Sequence, residues 1–112
     1  MIIGDKTKKF LTNTIIYDSI CVMEKKYSVV LTAKTKKMIK KMPVEIQDVF
    51  TLLVEDIKQN GAILKNWRNF SALGKNKYHC HLKYNWVACW IWEKGTFIVE
   101  IYYAGSRENA PY

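Results

Sequence analysis

The sequence predicts an α+β domain, with an N-terminal strand and a helical hairpin packed on a mostly antiparallel sheet of about four strands. Three observations predict it. Residues 44–59 carry the clearest helical period in the chain, the runs after Tyr78 read as strands, and two helices that follow one strand need something flat to lie on. A chain of 112 residues is one domain, and a hydrophobic fraction of 49% is enough to build its core.

Residues 1–22 show no clean period of 2 or 3.6 and are expected to be an N-terminal extension. They read as a loosely packed tail or as sequence upstream of a start at Met23; a helix using Ile15, Ile16 and Ile20 is the other reading. The lysines Lys6, Lys8 and Lys9 before a mildly apolar stretch resemble a signal peptide faintly. Asn13, Tyr17 and Asp18 interrupt that stretch, and no small-residue cleavage site follows. The domain proper is expected over residues 23–112.

Tyr27 to Leu31 is rich in β-branched residues and reads as the first strand. Thr32 can cap the next helix through its hydroxyl. That helix, Ala33 to Met42, spreads Lys34, Lys36, Lys37, Lys40 and Lys41 over one broad side and leaves Met38, Ile39 and Met42 for the core. Pro43 interrupts it and opens a second helix, Val44 to Gln59, whose Ile46, Val49, Phe50, Leu53 and Ile57 form one apolar stripe. Asn60-Gly61 ends that helix. Residues 62–77 read mostly as loop. Strands are expected at Tyr78 to Leu82, Trp86 to Trp92 and Phe97 to Ala104, with Glu93-Lys94-Gly95 as the turn between the last two. Trp86 to Trp92 is apolar on both faces, as a doubly covered central strand should be.

Charge narrows the function. A net charge of +8 on so short a chain favours a polyanionic partner, nucleic acid before membrane, although a face of solvated lysines has the same composition. No run of about 18 apolar residues exists to span a bilayer. Cys21, Cys80 and Cys89 make no even disulfide framework and no C-x-x-C pair, which fits reduced thiols in the cytoplasm.

Strand alternation puts Tyr78, Cys80 and Leu82 on one face and His79, His81 and Lys83 on the other. If the helices cover the apolar set, the histidines lie on the open face. A histidine pair can supply a general base and a general acid near neutral pH. Cutting RNA without metal needs both, one to take the 2′-hydroxyl proton and one to protonate the departing 5′-oxygen, and a cation to steady the phosphate. Lys75, Lys77, Lys83 and Arg107 are candidates for the cation. His-x-His on a strand also suits zinc, but Cys80 faces away and no nearby Asp completes a ligand set, so neither metal nor cofactor is expected. Four tryptophans and seven tyrosines can simply be core; Trp67, in the loop, is the one placed to stack on a base. The ending Gly105-Ser106-Arg107-Glu108-Asn109-Ala110-Pro111-Tyr112 can turn back at Gly105. Pro111 stiffens the approach to Tyr112, as a functional group or as a packed aromatic.

Several of these segments together resemble the RelE/ParE toxin superfamily. They are Trp67-Arg68-Asn69-Phe70, Leu73-Gly74, Tyr78-His79-Cys80-His81-Leu82, the Trp-rich strand, and Val99 through Tyr112. The chain is most similar to the superfamily's branch of RelE-like cytotoxic translational repressors, from about Met23 to the C-terminus. The resemblance implies a RelE-like fold, cleavage of messenger RNA (in several members on the ribosome, in its A site) and neutralisation by a cognate antitoxin protein. It implies two basic residues, two apart, where this chain has His79 and His81, a basic residue matched by Arg107, and a tyrosine matched by Tyr112. These four are the expected catalytic set. Arg68, Lys75, Lys77, Lys83 and Trp67 are the expected RNA contacts, and Glu100 is the residue expected to set a histidine tautomer. Two departures stand out. RelE itself has lysines at the histidine positions. It also has an arginine on its third strand, where this chain reads Trp86-Val87-Ala88, so the phosphate clamp has to move to Lys83 or Arg107. The resemblance leaves two alternatives to a cytoplasmic endoribonuclease toxin: a non-nuclease, gyrase-inhibiting toxin of the ParE kind, or an inactive RNA- or antitoxin-binding member.

Overall fold

A computed structural model describes residues 26–112. The expected extension over residues 1–22, with Cys21, lies outside the described residues. In chain order the described residues form β1 (Ser28–Leu31), α1 (Ala33–Lys40), α2 (Val44–Asn60), β2 (Ser71–Gly74), β3 (Lys77–Lys83), β4 (Trp86–Ile91), β5 (Ile98–Ser106) and a 3-10 turn, Arg107–Asn109. The five strands make one sheet in the order β1-β5-β4-β3-β2. Every neighbouring pair is antiparallel except β1 and β5. A parallel pair needs a crossover connection, and the helical hairpin is the first part of it. The α+β class is as expected, with one strand more.

That extra strand is β2, inside the segment read as loop. It is a four-residue edge strand in which only Leu73 is half-buried, so no alternation of apolar residues announces it. It pairs Ser71 with His79 and Ala72 with Tyr78, then turns through Lys75-Asn76, where Asn76 takes a left-handed φ of 66°. That conformation is easier for asparagine than for most residues.

Thr32 caps α1 as expected. Its Oγ1 accepts a hydrogen bond from the Thr35 amide at 3.1 Å, and the two hydroxyls lie 2.6 Å apart. Thr35 is fully buried, and the Thr32 hydroxyl satisfies its polar side chain. α1 stops at Lys40, two residues short of expectation. Pro43, the N-cap of α2, disfavours helical backbone at Met42 before it. Met42 is nonetheless buried. In α2 the residues Ile46, Phe50, Leu53 and Ile57 are buried. Gly61 closes the helix at φ 88°, its N–H donating to the Ile57 carbonyl at 2.8 Å. A Cβ there would come within 2.9 Å of the Tyr27 ring, so glycine is required for two reasons.

The α2 stripe packs on one face of the sheet against Tyr78, Cys80, Leu82, Trp90, Val99 and Ile101. Trp90 is completely buried, and its Nε1 donates to the Ala62 carbonyl at 3.0 Å. Val87, Ala88, Cys89 and Trp90 have no exposure at all, as the two-faced pattern of that strand requires. On β5 the register slips opposite Cys89 and Trp90, leaving Tyr102 as an extra residue. The slip turns Tyr103 away from the α2 core, into a second, smaller cluster with Val87 and Cys89 on which Met38 of α1 also packs. Ala110, beyond the 3-10 turn, packs on that cluster. No described helix is long and apolar enough to cross a membrane.

Candidate active site

The candidate site lies on the sheet face opposite the α2 core. His79 and His81 project from β3, with ring centroids 5.7 Å apart. His79 is buried and His81 half-buried. Both Nδ1 atoms are engaged. His79 Nδ1 is 3.0 Å from Ser71 Oγ on β2, and His81 Nδ1 is 3.2 Å from Asn69 Nδ2. Nε2 is therefore the nitrogen of each ring left for chemistry. Asn69 has a left-handed φ of 51° just before β2 begins, and the His81 amide donates to the Arg68 carbonyl at 2.8 Å. The short edge strand and its lead-in thus hold both rings.

The C-terminal tail folds back over this face. The Arg107 amide donates to the Asn85 carbonyl at 2.7 Å, which ties the 3-10 turn to the β3–β4 loop. Pro111 and Tyr112 follow, and the Tyr112 ring lies against His79 at 4.5 Å between centroids. Gly105 has a packing reason here: a Cβ would meet the Tyr103 hydroxyl at 2.9 Å, and that hydroxyl donates to the Ser106 carbonyl at 2.6 Å.

Electrostatics follow from this crowding. Burial holds the His79 imidazole below its ordinary value, and a hydrogen bond to the Ser71 backbone opposes the shift. His81 is held low by burial first, then by His79, Arg107 and Arg68. Tyr112 is pushed up, mainly by burial, while the Arg107 charge pulls it down. Cys80 and Cys89 are free and buried, and burial pushes both thiols up to about 12. Neither is a nucleophile at neutral pH.

Four of the expected residues therefore come together: His79, His81, Arg107 and Tyr112. Arg68 flanks them, and its charge acts on His81. Lys77 lies 6.0 Å over the Tyr102 ring, and Lys75 is exposed at the β2–β3 turn. Three expectations need correction. Lys83 does not share the histidine face: the strand register shifts between His81 and Lys83, and its ammonium pairs with Glu45 of α2 at 2.7 Å. That partner also holds its pKa up. Trp67 is not offered to a base, because its Nε1 donates to Asp56 at 2.6 Å and its ring packs on the α2 core. Glu100 does not set a histidine tautomer. It pairs with Ile91, the residue opposite Lys77, and so lies two strands across and one row along from His79. Ser71 and Asn69 make those hydrogen bonds instead, and the sequence reading missed both. The signal was faint: Gly74 and Asn76 mark a tight turn that can join β3 to a strand before it. Among the described residues no three His, Cys, Asp or Glu side chains gather as a metal-binding group.

Two helices on a five-stranded mixed sheet of this strand order form a RelE-like α+β fold. The chain is similar to RelE in the crystal structure of the archaeal RelE–RelB complex from Pyrococcus horikoshii OT3, with a TM-score of 0.61 and 11% identity over 76% of this chain and 99% of that one. It is similar also to YoeB in the dimer from Staphylococcus aureus, with a TM-score of 0.58 and 12% identity over 71% of this chain and 95% of that one. No protein-family model matches the sequence, and no curated protein matches it significantly. The likeness at these identities is one of fold.

Proposed function

We propose that this chain is the toxin of a type II toxin–antitoxin pair and acts as a metal-independent endoribonuclease on messenger RNA, inhibiting translation in the cytoplasm. The observation that carries the reading is the convergence of two histidines, an arginine and a tyrosine on the sheet face opposite the α2 core, with His79 and Tyr112 in ring contact. Such a set can supply the base, the acid and the cation that metal-free transesterification of RNA uses.

The chemistry follows from the environments. His81 is held low by burial first, then by His79, Arg107 and Arg68, and with the Asn69 amide turned so that its Oδ1 takes the Nδ1 hydrogen, the free Nε2 accepts the 2′-hydroxyl proton. The 2′-oxygen attacks phosphorus and the bond to the 5′-oxygen breaks. Burial disfavours the charged form of His79 and the Ser71 backbone hydrogen bond only partly offsets this, so the fraction of rings that carry the proton gives it to that leaving oxygen. The products are a 2′,3′-cyclic phosphate and a 5′-hydroxyl. Arg107 steadies the charge on phosphorus. Tyr112, with its phenol pushed up, keeps its proton and orients the ribose rather than deprotonating it.

A cognate antitoxin is the expected protein partner, because the basic open face of a free nuclease has to be covered by a segment of opposite charge. RelE is seen with RelB in the archaeal structure. Purified protein, with EDTA present, is expected to cut RNA and leave cyclic phosphate ends. Cleavage that needs an added divalent ion would overturn the mechanism. One observation favours a second reading, the non-nuclease, gyrase-inhibiting toxin. On the histidine-bearing face β4 carries Val87 and Cys89, both fully buried, and no cation. DNA damage without transcript cleavage after induction would select that reading.

A further inference from the structure

A cavity of about 430 Å3 opens between α1 and the end of β5, lined by Lys34, Met38, Lys41, Trp86, Tyr103 and Asn109, among others. Its volume is that of a small-molecule site. Trp86 separates it from an ordinary surface dimple. Trp67, Trp90 and Trp92 donate their indole N–H to Asp56, Ala62 and Thr96. The N–H of Trp86, which is half-buried, has no acceptor among the described residues.

Lys34 and Lys41 likewise have no acidic partner among the described residues. Lys34 lies in the first turn of α1, where the helix dipole disfavours a cation, and α1 has no acidic residue to offset it. Two ammonium groups and an indole N–H are all donors, set beside the aromatic and thioether surfaces of Trp86, Tyr103 and Met38. Such a lining suits a flat, acceptor-rich ring. Of the bases, guanine presents two neighbouring acceptors, O6 and N7, where adenine pairs its N7 with a donor.

We propose that this cavity is a base subsite that takes a guanine of the RNA strand beyond the Arg107 turn, and so biases where that strand is cut. The inference rests on the ribonuclease reading. Ser106 and Asn109, which line the cavity, bracket Arg107, whose charge reaches His81, so one strand can run from the histidine face into it.

The test uses the indole N–H resonances of the full chain, with Trp86 assigned by Trp86→Phe. Titration with guanosine 5′-monophosphate is expected to shift the Trp86 signal and leave that of Trp90 still. Adenosine and cytidine monophosphates should shift it less. Lys34→Ala with Lys41→Ala is expected to weaken guanosine monophosphate about tenfold, with an unchanged melt because both lysines are exposed. No shift at Trp86, or an equal shift with inorganic phosphate alone, would overturn the base subsite. So would a shift with a hexaglutamate peptide and none with nucleotides, which would assign the cavity to a protein partner. The ribonuclease reading fails separately: RNA left uncut by a protein whose Trp86 still answers to guanosine monophosphate removes the nuclease and leaves the subsite.

Discussion

The phenol ring of Tyr112, the last residue of the chain, lies 4.5 Å from the imidazole of His79, centroid to centroid, with the planes tilted by 49°. Tyr112 is half exposed and His79 is buried, so the tail acts as a partial cover on the histidine. A truncation can read the role proposed for this contact in cleavage apart from its contribution to stability.

Deleting Pro111 and Tyr112 should lower single-turnover RNA cleavage about a hundredfold, in the range for a lost acid–base or positioning group. The aromatic contact itself contributes about 1 kcal/mol, so the melting temperature should fall by only about 4–8 °C. Cleavage assays beside thermal melts measure both. Full cleavage by the truncated chain removes Tyr112 from the mechanism.

Arg107→Ala should raise the cleavage barrier by about 2–4 kcal/mol, as for other lost electrostatic stabilisers. Arg107 is exposed and its backbone amide makes the structural contact, so the fold should persist. RNA affinity, measured with a strand lacking the attacking 2′-hydroxyl, should change much less than the rate.

The rate should peak on the acid side of neutrality. Base catalysis by His81 needs the neutral ring and is lost as pH falls through its pKa. Acid catalysis by His79 needs the charged ring and is lost as pH rises through its pKa. Both values lie below 6.5, so kcat should be maximal below that pH and fall about tenfold per unit on the alkaline limb. Stability runs the other way. The unfolded chain binds these protons more readily, so stability is full above 6.5 and declines on acidification. Melts at pH 5 and 7 should show it, and His79→Phe should flatten the difference.

Ser71→Ala removes the hydroxyl beside His79 Nδ1 but keeps the backbone bond. The ring loses an orienting contact worth about 1 kcal/mol, so kcat should fall severalfold with KM and the alkaline limb in place. Asn69→Gly keeps the left-handed backbone while removing the amide from His81, and should affect the acid limb instead.

In the core, Trp90→Ala should cost about 3–5 kcal/mol. It opens a cavity at a fully buried position and leaves the Ala62 carbonyl without its donor. Against a total of about 5–15 kcal/mol for a domain, a large drop in the urea midpoint is expected.

The sequence by itself determined the elements whose signal is periodic. The Ile46–Ile57 stripe, the Thr32 cap, the Gly61 stop and the two-faced Trp86 strand follow from side-chain spacing and local backbone chemistry, and so does the pairing of His79 with His81 on one face. Only the tertiary structure decided what lies across from them. β2 was illegible because an exposed edge strand buries too little to need a pattern. Lys83 and Glu100 left the site because a register shift and a strand pairing are set between segments, not within one. The same holds for the gains. Ser71 and Asn69 reach the histidines, and Tyr112 reaches His79 from 33 residues along the chain, because sheet pairing and a folded-back tail bring together groups that no local spacing relates.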